Sequence, residues 1–291
     1  MATAPDSPAR DEPAASGRRG AGRDLPVAIA VGLTLAAGVC ATIVAGPYAF
    51  LTFSSVLLVV AQLELDSALR AKGVRPATPV AIGAGLVMVY GAYANGMSAQ
   101  AVGIIVLLPG ALIWTLLDPY RRNAAASVGA TCLIGLWVPF LASFVGLLFR
   151  TRSEEGDGWL LVMAVIALTV TSDIGAYAFG NRWGRHRIAP SVSPGKTWEG
   201  FAGGLVSVLT LAGLVTARVF PALGVLGALA LGAGIVMSAT LGDLSESLVK
   251  RDLDVKDLGR ILPGHGGVMD RIDGLLFALP IAYLVIVAFG L

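Results

Sequence analysis

Carboxylates and cations alternate through the segment from Asp243 to Asp273. If the apolar helix ending near Asp243 runs on, Asp243, Ser247 and Lys250 fall at i, i+4 and i+7 and share one face. Asp270 and Asp273, spaced i, i+3, share a face at the start of the next apolar run, where a helix N-terminus favours negative charge. Between them Pro263-Gly264-His265-Gly266-Gly267 reads as a turn whose backbone closely approaches another group, since glycine has no Cβ. Two helix ends thus bring at least three hard oxygen donors together, a set suited to Mg²⁺. Lys250, Arg251, Lys256 and Arg271 are interleaved with them. Metal-binding carboxylates beside cations suit a reaction between two polyanions, because carboxylates alone repel phosphate. Most charged loops merely solvate and pair; the glycine-rich turn and the density of acids at two helix ends argue against that here.

A second cluster follows an earlier apolar run. Asp173, after Ser172, sits roughly 10 Å inside the helix end at 1.5 Å per residue. An ionisable group at such depth costs about 2.5–3.5 kcal/mol on insertion scales, so it should face protein or a wet cavity. Tyr177 is one turn on. A basic rim, Arg182 to Arg187, and the stretch Ser193-Pro194-Gly195-Lys196-Thr197-Trp198-Glu199-Gly200 lead into the next apolar run. Glu64 and Asp118, at the ends of earlier runs, read as interfacial charges rather than site residues. Metal ligation by His186 is disfavoured, and His265 fits a phosphate contact or a support for the turn.

The elements that hold these residues are membrane spans. Of 291 residues 56% are hydrophobic and 14% charged, against about 25% charged in soluble domains. A net charge of +2 gives no reason to expect a nucleic-acid partner. Cys40 and Cys132 lie in apolar stretches, read as small buried hydrophobes, and offer no zinc spacing. A bilayer needs about 20 apolar residues per helix, and about nine candidates qualify, at 26–45, 47–64, 79–97, 101–117, 124–148, 159–180, 201–219, 222–243 and 273–291. The fold expected is an all-α polytopic integral membrane bundle. Pairs such as Gly203-Gly204 imply closely packed helices. Residues 1–24 lack large apolar side chains and read as a disordered tail, followed by N-terminal helices over 25–150 and a catalytic half over 151–291. With the N-terminus cytoplasmic, nearly all of the 21 basic residues fall inside, leaving Arg150, Arg152 and Arg218 outside. The loop acids Glu154, Glu155 and Asp157 then form a solvated outer turn.

The later motifs resemble the phosphatidate cytidylyltransferase (CDP-diacylglycerol synthase) family. Ser247, Lys250-Arg251, Lys256-Asp257, Gly259, His265-Gly266-Gly267 and Asp270-Arg271-Ile272-Asp273 fill its pattern without a gap, and the stretches at Ser172-Asp173 and Ser193 to Gly200 are similar to further family motifs. The resemblance is carried by 160–291; before that it rests on span count and hydropathy. It implies CTP and phosphatidate as substrates at an inner-membrane, cytoplasmic-face site, Mg²⁺ with a second cation as an option, and a homodimer. Asp243, Asp270 and Asp273 would be metal ligands, with Lys250 catalytic beside them. Asp173, Ser193, Lys196, Ser247, Arg251, Lys256, His265, Gly266, Gly267 and Arg271 would bind substrate. A different lipid phosphate is the nearer alternative. A secondary transporter is the alternative of another class, but it calls for ionisable groups at the midplane and related halves. A CDP-alcohol phosphotransferase lacks its Asp-Gly…Ala-Arg pattern here.

Overall fold

The computed structural model describes residues 25–120, 123–151, 157–259, 261 and 266–290, with side chains from residue 30 on. The tail 1–24, Arg152, Glu154, Glu155 and His265 lie outside them. The described chain is nearly all helix. In order it forms α1 (Leu25–Ala45), α2 (Pro47–Ala71), α3 (Thr78–Asn95), α4 (Met97–Leu117), α5 (Ala124–Thr151) and α6 (Gly158–Trp183). An antiparallel hairpin of β1 (Arg187–Ala189) and β2 (Ser193–Thr197) follows. The chain then forms α7 (Trp198–Val219), α8 (Pro221–Asp252) and α9 (Met269–Ala288).

Among the described residues nine helical segments occur, where about nine spans were expected, and seven of them are long and apolar enough to cross a membrane. The two others are α1, apolar over Ala30–Ala45, and α3, whose ends at Thr78-Pro79 and Tyr93-Ala94-Asn95 dilute its apolar centre. The helix breaks are local chemistry. Gly46, at φ 111°, precedes Pro47 at the first position of α2, where a missing N–H costs nothing. Gly96, at φ 75°, turns α3 into α4. Pro139 cannot donate within α5, and the helix widens to a π turn over Leu136–Phe140.

Helices α6 and α7 pack along their length, as do α8 and α9; α9 also meets α5, α6 and α2. The α6–α7 approach depends on missing side chains, since a Cβ on Gly203 would lie 2.3 Å from Phe179 Cβ and one on Gly204 2.9 Å from the Ser172 carbonyl. A continuous buried core runs through Leu65, Met88, Leu148, Leu161 and Ile235. Exposed apolar residues such as Ile105, Ile113 and Leu117 cover α4, as a lipid-facing surface requires.

Candidate active site

Helix α8 does not stop at the end of its apolar run but continues to Asp252, carrying Asp243 and Glu246 on one face. It crosses α9 closely, because a Cβ on Gly242 would lie 2.5 Å from the Asp273 carbonyl oxygen. The crossing groups Asp243, Glu246 and Asp273, with one ligand oxygen from each all within 4.8 Å of one another. Glu246 is 1% exposed. Its Oε2 accepts from Lys250 Nζ at 2.7 Å, and its Oε1 is buried with no hydrogen-bond partner among the described residues. Lys250 Nζ also donates to Asp270 Oδ1 at 2.9 Å, and Asp270 Oδ2 accepts from the Gly267 amide at 2.8 Å. Asp270 therefore stands beside the acidic group, turned toward Lys250, while Glu246 fills the third corner.

The β hairpin reaches over this face. Lys196 Nζ on β2 pairs with Asp243 Oδ2, and Arg251 Nε on α8 donates to the Val192 carbonyl at 3.2 Å. Glu199 anchors the other end of the hairpin, accepting from the amides of Arg185 and His186 and from His186 Nδ1 at 2.6 Å. Beyond α8, Lys72 Nζ lies 2.6 Å from exposed Asp254, and this hydrogen bond lowers the Asp254 carboxyl from its ordinary value.

Two cavities meet at the site. One, of about 500 Å³, is polar; Asp173, Lys196, Asp243, Glu246, Lys250, Asp257, Asp270, Arg271 and Asp273 lie in its wall. The other, of about 410 Å³, is apolar, walled by α1, α2, α5, α6 and α9 through residues such as Val39, Phe53, Leu57, Val145, Ile166 and Leu279. They share Asp173, Arg271, Asp273 and Gly274. Asp173, expected to face a wet cavity, opens into both. Cys40 is exposed beside the apolar cavity, not buried as its apolar neighbours suggested, because α1 packs chiefly on α2.

The other residues expected to bind substrate are placed around this wall rather than in it. Ser247 is half-buried one step round α8 from Glu246, Ser193 opens β2, and Lys256 is exposed on the following loop. Gly266, at φ 81°, and Gly267 pack against Asp270. Two residues were missed. Glu246 could have been found by its spacing, three after Asp243 and four before Lys250. Glu64 was read as interfacial, yet it is 4% exposed and accepts from the Val268 and Met269 amides at 3.1 and 3.0 Å. No local pattern marks a partner two hundred positions away.

Three converging carboxylates, one of them buried with an unpartnered oxygen, fit a hard divalent cation. A polytopic helical bundle with such a cluster, ringed by cations and opening beside an apolar cavity, defines an integral membrane enzyme for anionic substrates. The cytidylyltransferase family model matches residues 26–289, and the chain belongs to that family. It is 37% identical over 295 residues to a phosphatidate cytidylyltransferase of Mycobacterium bovis, covering 96% of this chain and 93% of the relative. It is 38% identical over 279 residues to that of Mycobacterium leprae, covering 90% and 88%. A Haemophilus influenzae phosphatidate cytidylyltransferase is 39% identical over 153 residues, 49% of this chain and 51% of the relative.

Proposed function

We propose that the protein transfers the cytidylyl group of CTP to phosphatidate, giving CDP-diacylglycerol and pyrophosphate. The observation that carries this is the junction of the two cavities at Asp173, Arg271 and Asp273. A lipid phosphate needs an apolar channel that opens directly onto a charged one, and a soluble phosphate donor needs only the latter. The named activity of the full-length relatives supports the same reading.

The lipid's acyl chains would occupy the apolar cavity and its phosphate the shared rim. A phosphatidate oxygen attacks the α-phosphorus of CTP; the new P–O bond forms as the α–β bridging P–O bond breaks and pyrophosphate leaves. Both nucleophile and leaving group are competent, so the protein's work is positioning and charge neutralisation. Lys250, already held between Glu246 and Asp270, supplies a fixed positive charge. Lys196 on the hairpin and Arg271 on the rim, both in the wall of the polar cavity, would meet phosphate oxygens. Asp243, Glu246 and Asp273 would hold Mg²⁺, with Asp270 beside them as a further carboxylate that would serve a metal ion. The ion supplies Lewis-acid neutralisation of phosphate charge when bound. Ser193, Ser247, Arg251, Lys256, Gly266, Gly267 and His265 would complete substrate binding. The asymmetry of basic residues supports a cytoplasmic N-terminus and an inner-membrane enzyme working at the cytoplasmic face. The family resemblance supports a homodimer.

The test is radiolabelled CTP with phosphatidate, or with an isoprenoid phosphate, in detergent with and without Mg²⁺. Labelled CDP-diacylglycerol that requires both phosphatidate and Mg²⁺ is expected. Product from the isoprenoid phosphate alone would replace the proposed acceptor, and no product from either would remove the reaction.

A further inference from the structure

We infer that Glu64, on a helix that contributes nothing to the acidic cluster, is a positioning residue that seats the start of α9 and thereby aims Asp270 and Asp273. Its two carboxylate oxygens divide their work, with Oε1 taking the Val268 amide and Oε2 the Met269 amide. These amides open α9 and have no acceptor within the helix, so α2 supplies from a distance what an N-cap side chain supplies locally. Negative charge is favoured at that end of a helix.

The backbone around Glu64 is shaped to receive it. A Cβ on Gly259 would lie 2.0 Å from Glu64 Oε1, and one on Gly267 would lie 2.6 Å from Oε2 and 2.9 Å from Asp270 Oδ2. Both glycines are therefore required by contact with a carboxylate, and this gives the Gly259 and Gly267 positions a physical reason independent of substrate. The contacts run on without a break. Residues 267, 268 and 269 donate in turn to Asp270, Glu64 and Glu64; Asp270 receives Lys250; and Lys250 holds Glu246 in the acidic cluster. Burying a carboxylate is costly unless it is well compensated. Among the described residues the side chain hydrogen-bonds only these two amides, so its placement serves the geometry of α9.

The inference rests on the acidic cluster being the catalytic metal site, and the test separates the two. Full-length wild type, Glu64→Gln, Glu64→Asp, Gly259→Ala and Glu64→Ala with and without Gly259→Ala are purified in detergent. Glutamine keeps the reach but turns one acceptor into a donor facing an N–H. Expected for Glu64→Gln are an apparent Mg²⁺ requirement raised about tenfold and a kcat lowered about tenfold, the scale of losing a group that orients metal ligands. The KM for lipid should stay unchanged, and the amides of 267–270 should exchange hydrogen faster. Glu64→Asp, which keeps both acceptors on a shorter stem, should retain more activity than Glu64→Gln. Gly259→Ala should reproduce the Glu64→Gln defect alone yet add nothing in the Glu64→Ala background, where its clash is gone.

A lowered melting temperature with an unchanged Mg²⁺ midpoint in the surviving enzyme would mean a purely structural role and overturn the inference. So would full additivity of Gly259→Ala with Glu64→Ala. If a variant is not recovered folded, Mg²⁺-dependent exchange of the 267–270 amides in the remaining variants decides. Absence of product from wild type would refute the reaction while leaving the exchange result standing.

Discussion

Replacing Glu246 by glutamine distinguishes a carboxylate that holds a cation from one that merely partners a lysine. At an effective dielectric constant of about 20, the attraction between Glu246 and Lys250 at 2.7 Å is about 6 kcal/mol. Repulsion from Asp273 within 4.8 Å is about 3.5 kcal/mol by the same rule. Repulsion from Asp243 is discounted, because that side chain is 40% exposed and screened by water. The amide therefore gives up roughly 6 kcal/mol of attraction and relieves at least roughly 3.5 kcal/mol of repulsion together with the cost of burying the charge, so the two sides nearly cancel, and Lys250 keeps Asp270 at 2.9 Å. The metal-free protein should therefore melt within a few degrees of wild type. A metal role predicts a different and larger effect, because one of three anionic donors is gone. The Mg²⁺-induced rise in melting temperature should largely vanish, and turnover should fall by about a hundredfold or more. The assay is thermal denaturation across a Mg²⁺ titration, paired with CTP-dependent product formation at saturating Mg²⁺. A wild-type Mg²⁺ response together with turnover within about threefold of wild type would refute the reasoning.

Four further outcomes are expected. Asp243→Asn and Asp270→Asn should each reduce CTP-dependent product per folded molecule by about a hundredfold or more; Asp243→Asn should melt close to wild type and Asp270→Asn lower, because its buried carboxylate holds Lys250 and the Gly267 amide, and normal turnover in either removes that residue from the mechanism. Ile166→Trp, which fills the apolar cavity, should raise the KM for phosphatidate several-fold and leave the KM for CTP unchanged, as measured by varying each substrate in turn. Arg150 donates to the Tyr93 and Ala94 carbonyls at the end of α3, so Arg150→Met should cost about 1 kcal/mol of stability in a melt yet leave turnover per folded molecule unchanged. The Asp254 carboxyl is held below its ordinary value by Lys72, so any stability from this pair is present above the unfolded carboxylate range and lost as pH falls through the lowered value. Both side chains are exposed, so wild type and Asp254→Asn should melt together at neutral pH in high salt and differ, if at all, only in low salt.

What was legible in the sequence was whatever depends on neighbours in the chain. Apolar runs marked where the helices lie, seven of them long and apolar enough to span, and the spacing of Asp243, Lys250, Asp270 and Asp273 placed them on facing ends of α8 and α9, because helical periodicity is local. The choice among acids was less legible. Asp243, Glu246 and Asp270 are equally reasonable donors until the crossing of α8 over α9 at Gly242 turns Glu246 toward Asp273 and leaves Asp270 facing Lys250. The contributions of α1 and α2 were not legible at all. Their residues in the apolar cavity are ordinary lipid-soluble side chains, and nothing in Leu63-Glu64-Leu65 announces a buried anion.

That gap has a physical cause with a consequence for the enzyme. The catalytic half carries the charges, but charge alone cannot fix where a helix begins, since the first amides of α9 bind water as readily as any other acceptor. Fixing them takes an acceptor held in place by packing, and here, where no N-cap side chain serves, it comes from another packed helix. Helix α2 supplies it through Glu64 and, through Phe53 and Leu57, also forms part of the wall of the apolar cavity. One helix therefore touches both the proposed lipid channel and the start of the helix that carries Asp270 and Asp273. Shifts of α2 that accommodate a bulky acyl chain should register at Val268 and Met269. Long and short-chain phosphatidates should accordingly differ in the Mg²⁺ concentration needed for half-maximal turnover, and identical Mg²⁺ midpoints across chain lengths would show that the two ends of α2 act independently.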